Sequence, residues 1–141
     1  MKEFTILISD RNRNIREYLK REFEADGFRV RLAKSAREVL EWIYQNIPID
    51  LVILDPELPG VDNIPLLEKI GDRVPILPIV VHSFSPDYCN QTNGSASVHF
   101  VEKKGSSIEY LKKEIFRLLN DNSSINGERI IDQQGRNNKR S

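Results

Sequence analysis

The sequence predicts a three-layer α/β/α domain, a five-stranded parallel sheet with helices on both faces. Short aliphatic runs recur along the chain, and stretches whose apolar residues repeat at helical spacing separate them. The runs FTILIS (4–9) and IDLVILD (49–55) are too continuously apolar to leave a face in water, as befits strands covered on both sides. Strands that alternate with helices in this way pair in parallel through right-handed crossovers.

The first strand is FTILIS, and it ends at Asp10. A helix from Asn14 follows, with Ile15, Tyr18, Leu19 and Phe23 on its apolar face and Gly27 where it would stop. FRVRL (28–32) alternates apolar and basic residues, the pattern of a half-exposed edge strand whose Arg residues discourage further pairing. Ser35 and Glu38 match a capping box, and Val39, Leu40 and Ile43 give the second helix its core face, with Trp42 joining that packing. IDLVILD is the third strand and ends on Asp55; PELPG is a loop, and a short third helix spans Ile64 to Ile70 with Pro65 in its first turn.

IVVHS (79–83) is the fourth strand, opened by Pro78. FSPDYCNQTNGSAS (84–97) is poor in helix formers, so any fourth helix there is short or frayed. VHFV (98–101) is the fifth strand, followed by Lys103 and Lys104. A last helix begins near Ser106 or Ser107 and buries Ile108, Leu111, Ile115, Leu118 and Leu119. The expected division is a domain over 1–120 and a flexible, polar tail over 121–141.

Composition excludes several function classes. Lys plus Arg is 21 and Asp plus Glu is 21, so no global field draws the chain to nucleic acid or anionic lipid. The 21 residues after Asn120 are too few for a helix-turn-helix, which argues against direct DNA binding. No apolar run is long enough for a signal-peptide core or a membrane span, and the single Cys89 allows no internal disulfide, so a cytoplasmic protein is expected. His82 and His99 lie within strands without a Cys or His at ligand spacing and read as packed residues without a chemical role.

In sheets of this kind ligands gather at the carboxyl ends of the strands. Asp10, Asp55, Ser83 and Lys103 end strands one, three, four and five, so two carboxylates, a hydroxyl and an ammonium would share one crevice. That set suits transfer of a phosphoryl group onto an aspartate: a carboxylate attacks, a cation offsets charge, and a hydroxyl bonds the transferred oxygens. Taken singly, each residue is as well explained as a helix cap, a loop hydroxyl or a solvated surface charge.

With ILISDRNRNIREYL, LVILDPELPGVD, IVVHSF and VHFVEKKG in these positions, the chain resembles the response-regulator receiver domains of two-component signalling, the CheY-like proteins, from about Phe4 to Asn120. The resemblance implies the flavodoxin-like strand order 2-1-3-4-5. It also implies that Asp55 accepts a phosphoryl group from a sensor histidine kinase or phosphotransfer protein, and that Ser83 and Lys103 bind the transferred group. Asp10, Asp55 and the Glu57 backbone carbonyl would hold magnesium. Ser83 and Phe100 would act as the switch, with output by contact with a further protein. Such a domain is no enzyme beyond its own phosphorylation and dephosphorylation.

Two departures bear on this. Receivers carry a second acid after strand one, the direct metal ligand, where this chain has Arg11, which supplies no oxygen and repels a cation; magnesium binding is then weakened or absent. Either Arg11 pairs with Asp55 or Glu57 in the cation's place, or it turns to solvent and leaves Asn12 or Glu57 to support a weakened site. Lys103-Lys104 also replaces the usual Lys-Pro, so the loop geometry there is expected to differ. The alternatives are a pseudo-receiver that binds partners independently of phosphate, and a haloacid-dehalogenase-type phosphohydrolase. The latter lacks a second Asp two residues after the nucleophile, where Glu57 stands.

Overall fold

The computed structural model describes residues 3–61, 66–71, 76–85, 97–104 and 107–125. Within them the chain runs β1 (Thr5–Ser9), α1 (Arg13–Ala25), β2 (Arg29–Ala33), α2 (Ala36–Tyr44), β3 (Leu51–Leu54), α3 (Leu66–Gly71), β4 (Ile79–Ser83), β5 (Val98–Glu102) and α4 (Ser107–Ile125). The strands form one parallel sheet in the order β2-β1-β3-β4-β5, as the family resemblance implied. Every residue of β1, β3 and β4 is buried, in keeping with their unbroken apolar runs, whereas β2 at one edge keeps Arg29 exposed.

Alternation along the strands divides the core in two. Ile6, Ile8, Leu51, Ile53, Val80 and Val101 face Leu19 and Phe23 of α1 and Leu111 and Ile115 of α4. Leu7, Val52, Leu54, Ile79 and Val81 face Val39 and Ile43 of α2 and Leu66 and Ile70 of α3. Lys112 of α4 lies 2.9 Å from Glu22 and 3.0 Å from Asp26, which fixes α4 against α1.

The helix ends are chemically defined. Asn12 caps α1, its side-chain oxygen accepting from the N–H groups of Asn14 (2.8 Å) and Ile15 (3.2 Å). At the other end Gly27 donates to the Glu24 carbonyl (3.0 Å) and Phe28 to the Phe23 carbonyl (3.1 Å), a Schellman motif with Gly27 at φ +96°. The apolar contact that accompanies this motif is the edge-to-face pair of Phe23 and Phe28, with ring centroids 5.7 Å apart. Ser35 caps α2 by accepting from Glu38 N–H (3.2 Å), and Glu38 reaches back to the N–H of Lys34 (2.9 Å), one residue earlier than a standard capping box.

Element bounds differ from the sequence reading by a residue or two, and two differences matter. α3 begins at Leu66, with 62–65, and so Pro65, outside the described residues. α4 continues to Ile125, beyond Asn120, while the rest of the expected tail lies outside the described residues. The weak fourth helix expected in 84–97 falls almost entirely on 86–96, also outside them. Trp42 packs as expected: its Nε1–H donates to the Leu32 carbonyl at 2.9 Å, and the Arg31 guanidinium stands 5.6 Å from its ring.

Candidate functional site at the carboxyl edge of the sheet

Four adjacent strands bring the site together. β1 delivers Asp10, β3 delivers Asp55, β4 ends on Ser83 and β5 leads into Lys103. All four are buried, at 1% exposure for Asp10, 2% for Asp55, 4% for Ser83 and 8% for Lys103. Burying charges at this depth is costly unless each is paired and hydrogen-bonded, and here each is.

Lys103 Nζ lies 2.7 Å from Asp10 Oδ2, and the other Asp10 oxygen accepts from Asn12 N–H at 2.8 Å. The Arg16 guanidinium donates to the Asp10 backbone carbonyl at 2.8 Å, which ties the first turn of α1 to the end of β1. Asp55 Oδ1 accepts from Glu57 N–H (2.9 Å) and Oδ2 from Arg11 N–H (3.0 Å). Ser83 Oγ accepts from Ser85 N–H at 3.1 Å, and the Ser83 carbonyl accepts from Lys103 N–H at 2.8 Å.

Arg11 joins this set through its side chain as well. Its Nη1 is 2.5 Å from Glu57 Oε1 and its Nε 3.7 Å from Asp55 Oδ2, while about half of the side chain remains exposed. The hydrogen bond to Glu57, with the charges of Asp55 and Asp10 beyond it, raises the guanidinium pKa above its ordinary value. Of the two placements open to Arg11 from sequence, this is the first. Asn12, the other candidate for supporting a metal, instead spends its side-chain oxygen on capping α1.

Phe100 is half-buried and packs on the α2 and α3 side of the sheet. His82 is packed, as expected, at 4% exposure on the opposite side, but neither ring nitrogen has a hydrogen-bond partner among the described residues. Burial and then the nearby Lys103 charge lower its pKa to about 4, so it is neutral at pH 7.

Two residues that sequence reasoning passed over also belong to the site. The ring of Phe84, exposed over most of its surface, lies 5.2 Å from Lys103 Nζ. Its position directly after the strand-ending Ser83 was the available signal. Arg16 could have been suspected from its place one turn into the helix that follows Asp10. Beneath Phe84 a cavity of about 200 Å³ opens between α1 and α4, with Ile15, Tyr18, His82 and Ile108 in its walls.

The family model for the response regulator receiver domain matches residues 6–115. The chain is 39% identical over 75 residues to the response regulator MprA of Mycolicibacterium vanbaalenii, an alignment covering 51% of this chain and 32% of that protein. The chain thus spans about a third of the length of this relative. The response regulator TrrA of Thermotoga maritima, solved in complex with Mg(2+)-BeF, superposes with a TM-score of 0.72 at 28% identity, covering 82% of this chain and 98% of TrrA. TrrA in complex with the histidine kinase ThkA matches with a TM-score of 0.67 at 27% identity, over 82% of this chain and 98% of that one.

The residues of the present chain do not fit a divalent ion of the kind that TrrA holds. Magnesium demands near-octahedral oxygen ligation. Here one oxygen of Asp10 is held by Lys103, Asp55 Oδ2 takes the Arg11 N–H with the guanidinium beside it, and the Glu57 carboxylate is held by the same guanidinium. Among the described residues no group of three or more His, Cys, Asp or Glu side chains is disposed to hold a metal ion.

Proposed function

Because the chain belongs to the response-regulator receiver family of two-component signalling, we propose that Asp55 accepts a phosphoryl group from the phosphohistidine of a sensor kinase or phosphotransfer protein and passes the signal on through protein contacts. The observation that carries this reading is the convergence of Asp55, Lys103 and Ser83 on one buried edge of the sheet. A carboxylate oxygen of Asp55 attacks phosphorus and the P–N bond breaks. Its electron pair passes to the ring nitrogen, and because the other ring nitrogen of the phosphohistidine carries a proton, the imidazole departs neutral. The product is a mixed acyl phosphate on Asp55.

This chain's residues serve that step by position and charge. The N–H groups of Arg11 and Glu57 hold the Asp55 carboxylate in one orientation, so little reorganisation precedes attack. Lys103 can exchange its pairing with Asp10 for the arriving phosphoryl oxygens, and Ser83 Oγ can hydrogen-bond them, which offsets charge where it develops. Phe100 and Ser83 are read as the parts that change place on phosphorylation. Magnesium, in the members that bind it, supplies further charge neutralisation at this edge.

Incubation with phosphoramidate followed by intact-mass measurement tests the reading. Wild type should gain the mass of one phosphoryl group and Asp55→Asn should not; equal gain by both proteins would overturn the assignment of Asp55. A second reading, a receiver fold that binds its partner without phosphate, is favoured by the Arg11 contacts with Asp55 and Glu57. It predicts an unlabelled wild type under conditions that label an Arg11→Asp variant.

A further inference from the structure

We infer that Arg11 is the site's own tethered cation, standing where other members of the family use magnesium, so that Asp55 is phosphorylated without a divalent ion. The inference rests on the reading of Asp55 as the acceptor and adds to it what neutralises the phosphoryl group.

Arg11 is anchored twice. Its backbone N–H holds Asp55 Oδ2 at 3.0 Å, and its guanidinium reaches across the same carboxylate to Glu57. The guanidinium therefore borders the acceptor oxygen while half of the side chain faces the solvent from which a phosphodonor arrives. A planar guanidinium presents several N–H donors in a fork that matches phosphate oxygens. In phosphoryl transfer an arginine placed beside the moving group stabilises the charge that develops there.

Charge bookkeeping points the same way. Among the side chains paired with one another through their charged groups, Asp10, Asp55 and Glu57 carry three negative charges and Lys103 and Arg11 two positive ones, so these five stand at −1, with Arg16 held apart on the Asp10 backbone carbonyl. A divalent ion added to it would leave +1. With Asp in place of Arg11 the cluster would stand at −3, and a divalent ion would leave −1. The exchange of one residue thus shifts the local charge by two units, the charge of the ion that Arg11 replaces.

The test compares wild type, Arg11→Asp and Arg11→Gln, with folding checked by circular dichroism. Each is incubated with phosphoramidate in EDTA and in magnesium and followed by intact mass; binding of Mn²⁺ alone is followed by electron paramagnetic resonance. Wild type should label at rates within about twofold in the two buffers, and should bind no Mn²⁺ at concentrations that saturate Arg11→Asp. Arg11→Asp should label only with magnesium. Arg11→Gln in EDTA should lose roughly 10²-fold in rate, the usual loss when one charge-stabilising donor is removed.

Labelling of wild type that requires magnesium, or Mn²⁺ binding to wild type as tight as to Arg11→Asp, would overturn the inference and leave Asp55 as the acceptor. Wild type unlabelled in both buffers, while Arg11→Asp labels with magnesium, would overturn the reading of this chain as a phosphoacceptor and metal-free transfer with it. Undiminished labelling of Arg11→Gln in EDTA would show that the guanidinium does not serve the transfer.

Discussion

Lys103 and Asp10, 93 positions apart in sequence, form an ion pair of 2.7 Å whose side chains are 7% and 2% exposed. Such a pair adds little net stability when formed, because desolvation offsets most of the attraction, but the loss of one partner strands the other charge in the interior. Its two residues come from β1 and from the end of β5, so the pair also draws the β1 and β5 ends of the site together.

Replacing Lys103 by Met is therefore expected to lower stability by about 3 kcal/mol, since it leaves the buried Asp10 side chain without its ion-pair partner. The double variant Asp10→Asn with Lys103→Met should recover part of that loss. Urea denaturation of wild type, both single variants and the double variant gives the coupling energy. A Lys103→Met loss below about 0.5 kcal/mol, typical of surface substitutions, would mean that the pair is solvated in solution.

The N-cap of α1 makes a second, smaller prediction. Asn12 satisfies two otherwise unpaired N–H groups, and Asn12→Ala should cost about 1 kcal/mol, Asn12→Asp much less. The same helix start lies next to Asp10 and Arg11. Fraying it should therefore also slow the labelling of Asp55, whereas Ser35→Ala at the cap of α2 should cost similar stability and leave labelling unchanged. Thermal melts paired with intact-mass kinetics separate the two effects.

The acids, the hydroxyl and the lysine of the site were legible in the sequence because a buried parallel strand has a fixed direction, and the first polar residue after its apolar run must emerge at the carboxyl edge. Asp55 follows such a run directly and Ser83 closes one, while Asp10 and Lys103 each stand one residue further on, after Ser9 and Glu102. Five alternating strands and helices were legible for the same reason. What Arg11 does was not, because a long side chain at a turn can reach inward or outward with equal local preference. Only the three-dimensional position of Glu57, three residues past the end of β3, decides between them. The ring of Phe84 over Lys103 likewise depends on how β4 and β5 end side by side, which no spacing within either strand encodes.

His82 gives the protein an expected acid sensitivity with a worked sign. Its folded pKa is lowered to about 4 while the unfolded chain has the ordinary value near 6.5, so between these values the unfolded state binds the proton and the folded state does not. Stability should therefore be independent of this group above about pH 6.5 and fall as pH drops from there toward 4. Over that span the loss amounts to about 3 kcal/mol. Because both ring nitrogens lack hydrogen-bond partners among the described residues, His82→Leu should remove an unsatisfied polar group from the interior, with no loss of stability at pH 7. It should also flatten the decline between pH 6.5 and 4. Urea midpoints measured across this pH range for wild type and His82→Leu check both statements; parallel curves for the two proteins would mean that His82 ionises in the folded state with its ordinary pKa.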